Sequence, residues 1–157
     1  MAEKLDEIDY KILYLLQQDG RITNLELSNR VGLSPAPTLE RVKKLEKARI
    51  IEGYHARLNR FKLKLGVSVF IQVTLSRQVE NVINKFKQRI AGVPEVVECY
   101  QVTGNSDYLL KAVVTDIPAF EKLISENLSK MDEIGSMHTM LIISEVKHSR
   151  VLPLKYD

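Results

Sequence analysis

Residues 21–49, RITNLELSNRVGLSPAPTLERVKKLEKAR, read as two short helices joined by a tight turn, with a basic surface on the second. Thr23 followed three residues later by Glu26 is a capping-box pattern, and Leu25, Leu27 and Val31 make the segment behind it amphipathic. Gly32 permits the turn. Ser34 is the next N-cap, with Pro35 at the first helical position, where a missing N–H breaks no bond, and Pro37 still within the first turn. From Ser34 onward, a 3.6-residue period places Leu39, Val42 and Leu45 on an inner face. Ala36, Glu40, Lys43 and Lys44 look outward, and Arg41 sits on the flank. This matches a helix-turn-helix whose second helix enters the major groove of DNA; a helix hairpin with a solvated charged face carries the same pattern.

The charge distribution bears on that choice. The 157 residues carry a formal net charge of only +3, but residues 1–65 hold 13 Lys and Arg against 9 Asp and Glu, and residues 66–157 hold 10 against 11. Between Arg41 and Lys64 there are nine basic residues and two acidic ones, Glu46 and Glu52. A basic stretch overlapping the second helix suits phosphate contacts, and it would also attract acidic small molecules or a membrane surface. The single cysteine, Cys99, excludes an internal disulfide and points to a reducing, cytoplasmic setting. No apolar run approaches membrane-spanning length, and no leader pattern precedes the first helix.

Taken in order, Asp6 caps a first helix reaching about Gln17, with Ile8, Ile12, Leu15 and Leu16 as its apolar stripe, and Asp19-Gly20 ends it. The segment Ile50–Leu58 has extended character, as a small β wing would, and Arg57, Arg60, Lys62 and Lys64 follow as a linker lying near the DNA backbone. From about Gly66 the pattern changes. Val67, Val69, Ile71, Val73 and Leu75 alternate with Ser68, Phe70, Gln72 and Thr74 as a strand. A helix over about 79–90 follows, with Val82, Ile83, Phe86 and Ile90 on one face. Next come a strand over 96–103, a turn at Gly104–Asp107 and a strand over 108–115. Asp116 and Pro118 open a helix lined by Phe120, Leu123, Ile124 and Leu128, and a last strand is expected over about 137–147.

The order β-α-β-β-α-β is the ferredoxin-like arrangement, so the fold class is α+β: a winged helix-turn-helix domain followed by a ferredoxin-like domain. The expected boundaries are 1–53 for the first domain, 54–65 for wing and linker, and 66–157 for the second. Both helices cover one sheet face. The other carries Phe70 and Ile142, on strands apolar on both sides, which predicts packing against a second subunit in a homodimer.

With GNSDYLLKAVV at its central hairpin, SEVK near its end and DGRITNLELSNRVGLSPAPTLERVKKLE at its front, the chain resembles the Lrp/AsnC family of amino-acid-responsive transcriptional regulators over nearly its whole length. It is most similar to the leucine-responsive branch. The resemblance implies a ferredoxin-like domain, called RAM in the family, that dimerises, dimers that assemble into octamers around which DNA can wrap, and amino-acid effectors held in clefts between neighbouring dimers. Gly104-Asn105-Ser106-Asp107 matches the family's Gly-x-x-Asp turn. Carried over, Gly104, Asp107 and Tyr108 are the leading effector-site positions, with Asn105 on the rim and Tyr100, Val102, Thr139 and Ile142 as further candidates. For DNA, Arg41, Lys43 and Lys44 are expected to meet phosphates or base edges, with Ser34, Pro35, Ala36, Thr38 and Glu40 near the groove floor. Leucine-responsive members carry an acidic residue and an aromatic where Asn105 and Ser106 stand, which alters the polarity and volume of the cleft rim. The family also commonly has glycine near Arg49.

The physics of an amino-acid site is compatible with this turn. An ammonium needs an acceptor such as Asp107, and a carboxylate needs donors such as the N–H groups of a glycine turn. Gly-Asn-Ser-Asp is equally an ordinary hairpin turn. His55, His138 and His148 have no metal-site spacing, Cys99 reads as a small strand residue, and no phosphate-cradling loop or nucleophile elbow is present; neither metal, cofactor nor catalysis is expected. Two rivals share parts of the plan: a sirohaem-decarboxylase-like enzyme, marked by a coloured tetrapyrrole complex, and an architectural DNA-compacting protein without effector response.

Overall fold

A computed structural model describes residues 4–149 and 151–154. The chain forms two compact units. One holds residues up to Arg57 plus a C-terminal return beginning at Lys147; the other runs Leu58–Val146. This differs from the boundaries read from sequence, because the return leaves the second unit. Leu154 packs against the core of the first, and the Leu152 backbone exchanges hydrogen bonds with the Gln17 amide.

The first unit contains α1 (Glu7–Gln18), α2 (Asn24–Val31) and α3 (Pro35–Lys47). Each starts where a residue of the right type precedes it. Asp6 accepts from the Asp9 N–H while the Asp9 side chain accepts from the Asp6 N–H, and the Thr23 hydroxyl accepts from the Glu26 N–H. Ser34 occupies the N-cap position of α3, as the sequence reading has it, but makes no side-chain cap bond; Pro35 supplies the fixed first turn. Ile12, Leu13, Leu27, Val31 and Leu45 form the core. Helix α3 ends in a Schellman turn, with the Ile50 N–H bonded to the Leu45 carbonyl and the Arg49 N–H to that of Glu46. Arg49 takes the left-handed position at φ 58°. Residues 52–59, in the wing position, are irregular and pair into no strand among the described residues.

In the second unit β1 (Val67–Leu75), α4 (Glu80–Ala91), β2 (Val96–Gln101), β3 (Tyr108–Val114), α5 (Ile117–Lys122) and β4 (Ile134–Leu141) follow in that order. The four strands form one antiparallel sheet ordered β2-β3-β1-β4. Helix α5 continues through a π turn, Leu123–Asn127, and a 3₁₀ turn, Leu128–Lys130. Strand β4 therefore begins and ends earlier than the expected 137–147. The core lies between the helices and one sheet face: Val69, Ile71 and Val73 of β1 meet Phe86 and Ile90 of α4 and Leu123 and Leu128 beyond α5. A buried Glu133 clamps this side, bonded to Lys85 at 2.7 Å and Arg89 at 3.0 Å.

Candidate functional site

The outer side of α3 is the first candidate. Pro35, Ala36, Glu40, Lys43 and Lys44 are exposed, as is Lys47 in its last turn, and Glu40 pairs with Lys43 at 3.5 Å. Two residues are not where the sequence reading put them. Thr38 is fully buried, and its hydroxyl donates to the Ser34 carbonyl at 3.0 Å, so it packs against the core rather than facing a groove. Leu39 is 40% exposed and takes an outward position instead. The inner face thus runs Thr38, Val42 and Leu45, with Thr38 in the place expected for Leu39, because a threonine whose hydroxyl bonds back to its own helix is as buriable as a leucine.

Arg41 has partners within the chain. Its Nη1 donates to Asp6 at 2.8 Å and to Asp9 at 2.7 Å, joining α3 to the start of α1. Asp9 is buried, and its carboxylate also accepts from the Asp6 N–H at 3.1 Å. The Asp9 backbone N–H and the Arg41 guanidinium together hold the Asp6 carboxyl below its usual range, and the two carboxylates raise the arginine in turn. Asn24, absent from the expected set, donates from Nδ2 to the Pro35 carbonyl at 2.8 Å and fixes the α2–α3 turn. Arg60, expected near DNA backbone, donates to the Leu65 and Gly66 carbonyls at 3.1 Å.

The second candidate is the β2–β3 turn. The Val102 N–H bonds to the Asp107 carbonyl, and Gly104 has φ 117°, a conformation that side chains resist. Asp107 is anchored from three sides. Its N–H donates to the Val73 carbonyl at 2.9 Å, its Oδ2 accepts from the Leu75 N–H at 2.7 Å, and its Oδ1 accepts from Gln78 Nε2 at 2.7 Å. Thr74 adds a hydroxyl bond to the Asn105 carbonyl. The turn is welded to the end of β1 by residues that carried no sequence signal.

The other expected effector positions scatter. Tyr100 is 52% exposed with its hydroxyl donating to Glu98, and Val102 is half-buried beside the turn. Tyr108 is buried under α4, its ring 4.7 Å from that of Phe86, and so does not reach the rim. Thr139 pairs with Ile71, and Ile142 bonds to Ser68 near the start of β1, whereas Asp107 sits by its end. One chain alone does not bring Thr139 and Ile142 to the Gly104–Asp107 turn.

Comparison with known proteins places both halves. Residues 5–52 match the winged helix-turn-helix DNA-binding model, and residues 68–152 match the Lrp/AsnC ligand binding domain. The leucine-responsive regulatory protein of Escherichia coli strain K12 is 44% identical over 154 residues, 98% of this chain and 94% of that protein. A transcriptional regulator of Neisseria meningitidis, solved in complex with L-methionine, superposes with a TM-score of 0.92 at 40% identity, covering 96% of this chain and 97% of its own. AsnC of Escherichia coli follows at 0.85 and 25%, covering 93% and 97%.

Proposed function

The chain belongs to the Lrp/AsnC family of DNA-binding transcriptional regulators, and on that footing we propose that α3 docks in the major groove of its operator while the second unit binds a free amino acid at the rim of the β2–β3 turn. The observation carrying the DNA half is the exposed side of α3, which presents Ala36, Leu39, Glu40, Lys43, Lys44 and Lys47 on a helix anchored from behind by Thr38 and Leu45. The lysines supply phosphate contacts, and Ala36, Leu39 and Glu40 are placed to meet base edges or thymine methyl groups. Arg41 is the brace that orients the helix.

The amino-acid half rests on Asp107. Each of its oxygens accepts one bond from the chain, which leaves each a further lone pair for an ammonium, and the glycine turn beside it offers backbone N–H groups to a carboxylate. The Neisseria relative holds L-methionine and the Escherichia coli relative is named for leucine, so an apolar amino acid is the effector class proposed. Thr139 and Ile142 join such a site only from a second chain. We therefore place the site between subunits of a homodimer-based octamer, with effector binding biasing assembly and so DNA affinity by about 1–3 kcal/mol. This is a cytoplasmic regulator without catalysis.

Fluorescence anisotropy with operator DNA tests the first half. Lys43→Ala with Lys44→Ala is expected to weaken binding at every salt concentration and to lower the slope of log affinity against log salt by about 2. An unchanged slope removes these lysines from the contacts. For the second half, the melting temperature should rise with one or a few of the twenty amino acids and lose that response in Asp107→Asn, which keeps the side-chain shape but not the charge. A variant that responds like the parent moves the site elsewhere.

A further inference from the structure

Gln78 stands between β1 and α4, one residue before the N-cap of that helix, and it is exposed. Its Nε2 donates to Asp107 Oδ1 at 2.7 Å, and the Leu75 N–H donates to Oδ2 at the same distance. A carboxylate oxygen only accepts, so the amide has to present its nitrogen to Asp107 and turn its oxygen elsewhere. Oε1 of Gln78 has no hydrogen-bond partner among the described residues. The amide nitrogen and oxygen share one carbon, so while the Nε2 bond is kept Oε1 stays within about 5 Å of Oδ1. One ammonium bridges such a gap with two ordinary bonds of about 2.8 Å, one to each oxygen. Arg77 and Glu80, the nearest charged residues in sequence on either side, are exposed and of opposite sign, and Asp107 is the charged group that the amide bonds.

We propose that Gln78 is a specificity-determining residue of the effector site, accepting a second N–H of the ammonium that Asp107 holds; the assignment rests on the amino-acid reading of the Asp107 turn. The site then prefers a 2-amino acid to the 2-hydroxy and 2-oxo acids with the same side chain. An ammonium carries three donors and fills both acceptors, whereas a hydroxyl carries one and leaves an acceptor unfilled. A 2-oxo group carries none and sets its own lone pairs against both oxygens. Transamination or oxidative deamination converts the preferred class into the rejected one, so the pair Gln78 and Asp107 reads the aminated form.

Titration calorimetry on the full-length protein tests this, with L-methionine, L-leucine and their 2-hydroxy and 2-oxo counterparts as probes. Gln78→Met keeps the side-chain length and removes both polar atoms. It should narrow the preference for the amino over the hydroxy acid about tenfold, the effect of one bond to a charged group. Gln78→Glu keeps an acceptor and loses the N–H that holds Asp107, and it should retain the parent's preference. Equal weakening of all three classes in Gln78→Met, or an unchanged preference, overturns the proposal and leaves the Asp107 reading standing. A preference that falls in Gln78→Glu as it does in Gln78→Met also overturns it, because Gln78 then acts only by holding Asp107 in place. If the parent binds neither amino acid, or Asp107→Asn binds them as the parent does, the reading of the turn fails and the proposal fails with it.

Discussion

Arg41 shows how a side chain read from sequence as a DNA contact can also tie two helices together. Its position on the flank of a basic helix suggested DNA, but its partners lie 35 and 32 residues earlier in sequence, and no local pattern announces them. The clue available was Asp9 itself, a carboxylate three and four residues before the buried Ile12 and Leu13, where an unpaired charge is costly. Arg41→Met is therefore expected to lower stability by about 2 kcal/mol in urea denaturation, since it strands the buried Asp9 with little but the Asp6 N–H. Its effect on DNA binding should be a uniform loss without a change in salt slope. A smaller slope with unchanged stability would restore Arg41 to the phosphate contacts. Because the Asp6 carboxyl is held below its ordinary value of 3.8, the stability its own pair contributes is fully present above 3.8 and is lost as pH falls through the lowered value. Arg49 departs from the residue-level rule differently: a long side chain sits at φ 58° where glycine is usual, and the two Schellman bonds keep it there against a conformational cost of about 1 kcal/mol.

At the scale of elements, the sequence was most legible where a cap or a strict period marks the chain. Asp6, Thr23 and Pro35 start the three N-terminal helices where expected, and the alternation from Val67 to Leu75 is the buried central strand. Legibility failed where apolar residues do not pack. Ile143 and Val146, which extended the expected last strand, are both 95% exposed, and β4 stops at Leu141. The same limit hid the anchoring of the candidate site, because the Leu75 N–H and Gln78 reach Asp107 only through the fold. Glu133, just before β4, is another element-level tie that sequence does not show, joining α4 to the chain leaving the 3₁₀ turn through Lys85 and Arg89. Lys85 first, and then Arg89, hold its carboxyl below the ordinary 4.5. A depressed folded value means that the stability it contributes is fully present above 4.5 and lost as pH falls through the folded value. Glu133→Gln should accordingly lower stability by about 1–3 kcal/mol at neutral pH. In thermal scans the gap to the parent should be constant down to about pH 5 and close below it. A gap that stays constant into strong acid would mean the charge is irrelevant and only the shape matters.

At the scale of the whole molecule, the sheet poses the remaining question, because its helices cover one face only. Phe70, Leu109 and Val113 stand half-buried on the other, with Tyr100 and Met140 exposed. Phe70 sits opposite Lys111 on one neighbour and Met140 on the other, at the middle of the sheet. A half-covered antiparallel sheet with this much aromatic and aliphatic surface is the face that a second copy would cover in the proposed homodimer, and a two-fold relation between copies would match a palindromic operator. Phe70 belongs to neither buried core, so Phe70→Asp should leave both units folded while placing a carboxylate in the centre of the proposed interface. Light scattering should then report a monomer where the parent is a dimer or larger. Operator affinity should fall about a hundredfold or more, because two linked half-site contacts become independent ones. The double lysine variant of α3 should instead lose affinity with its assembly intact. If Phe70→Asp remains assembled at the parent's mass, the subunits meet elsewhere, and the effector site drawn between them has to be rebuilt from a different surface.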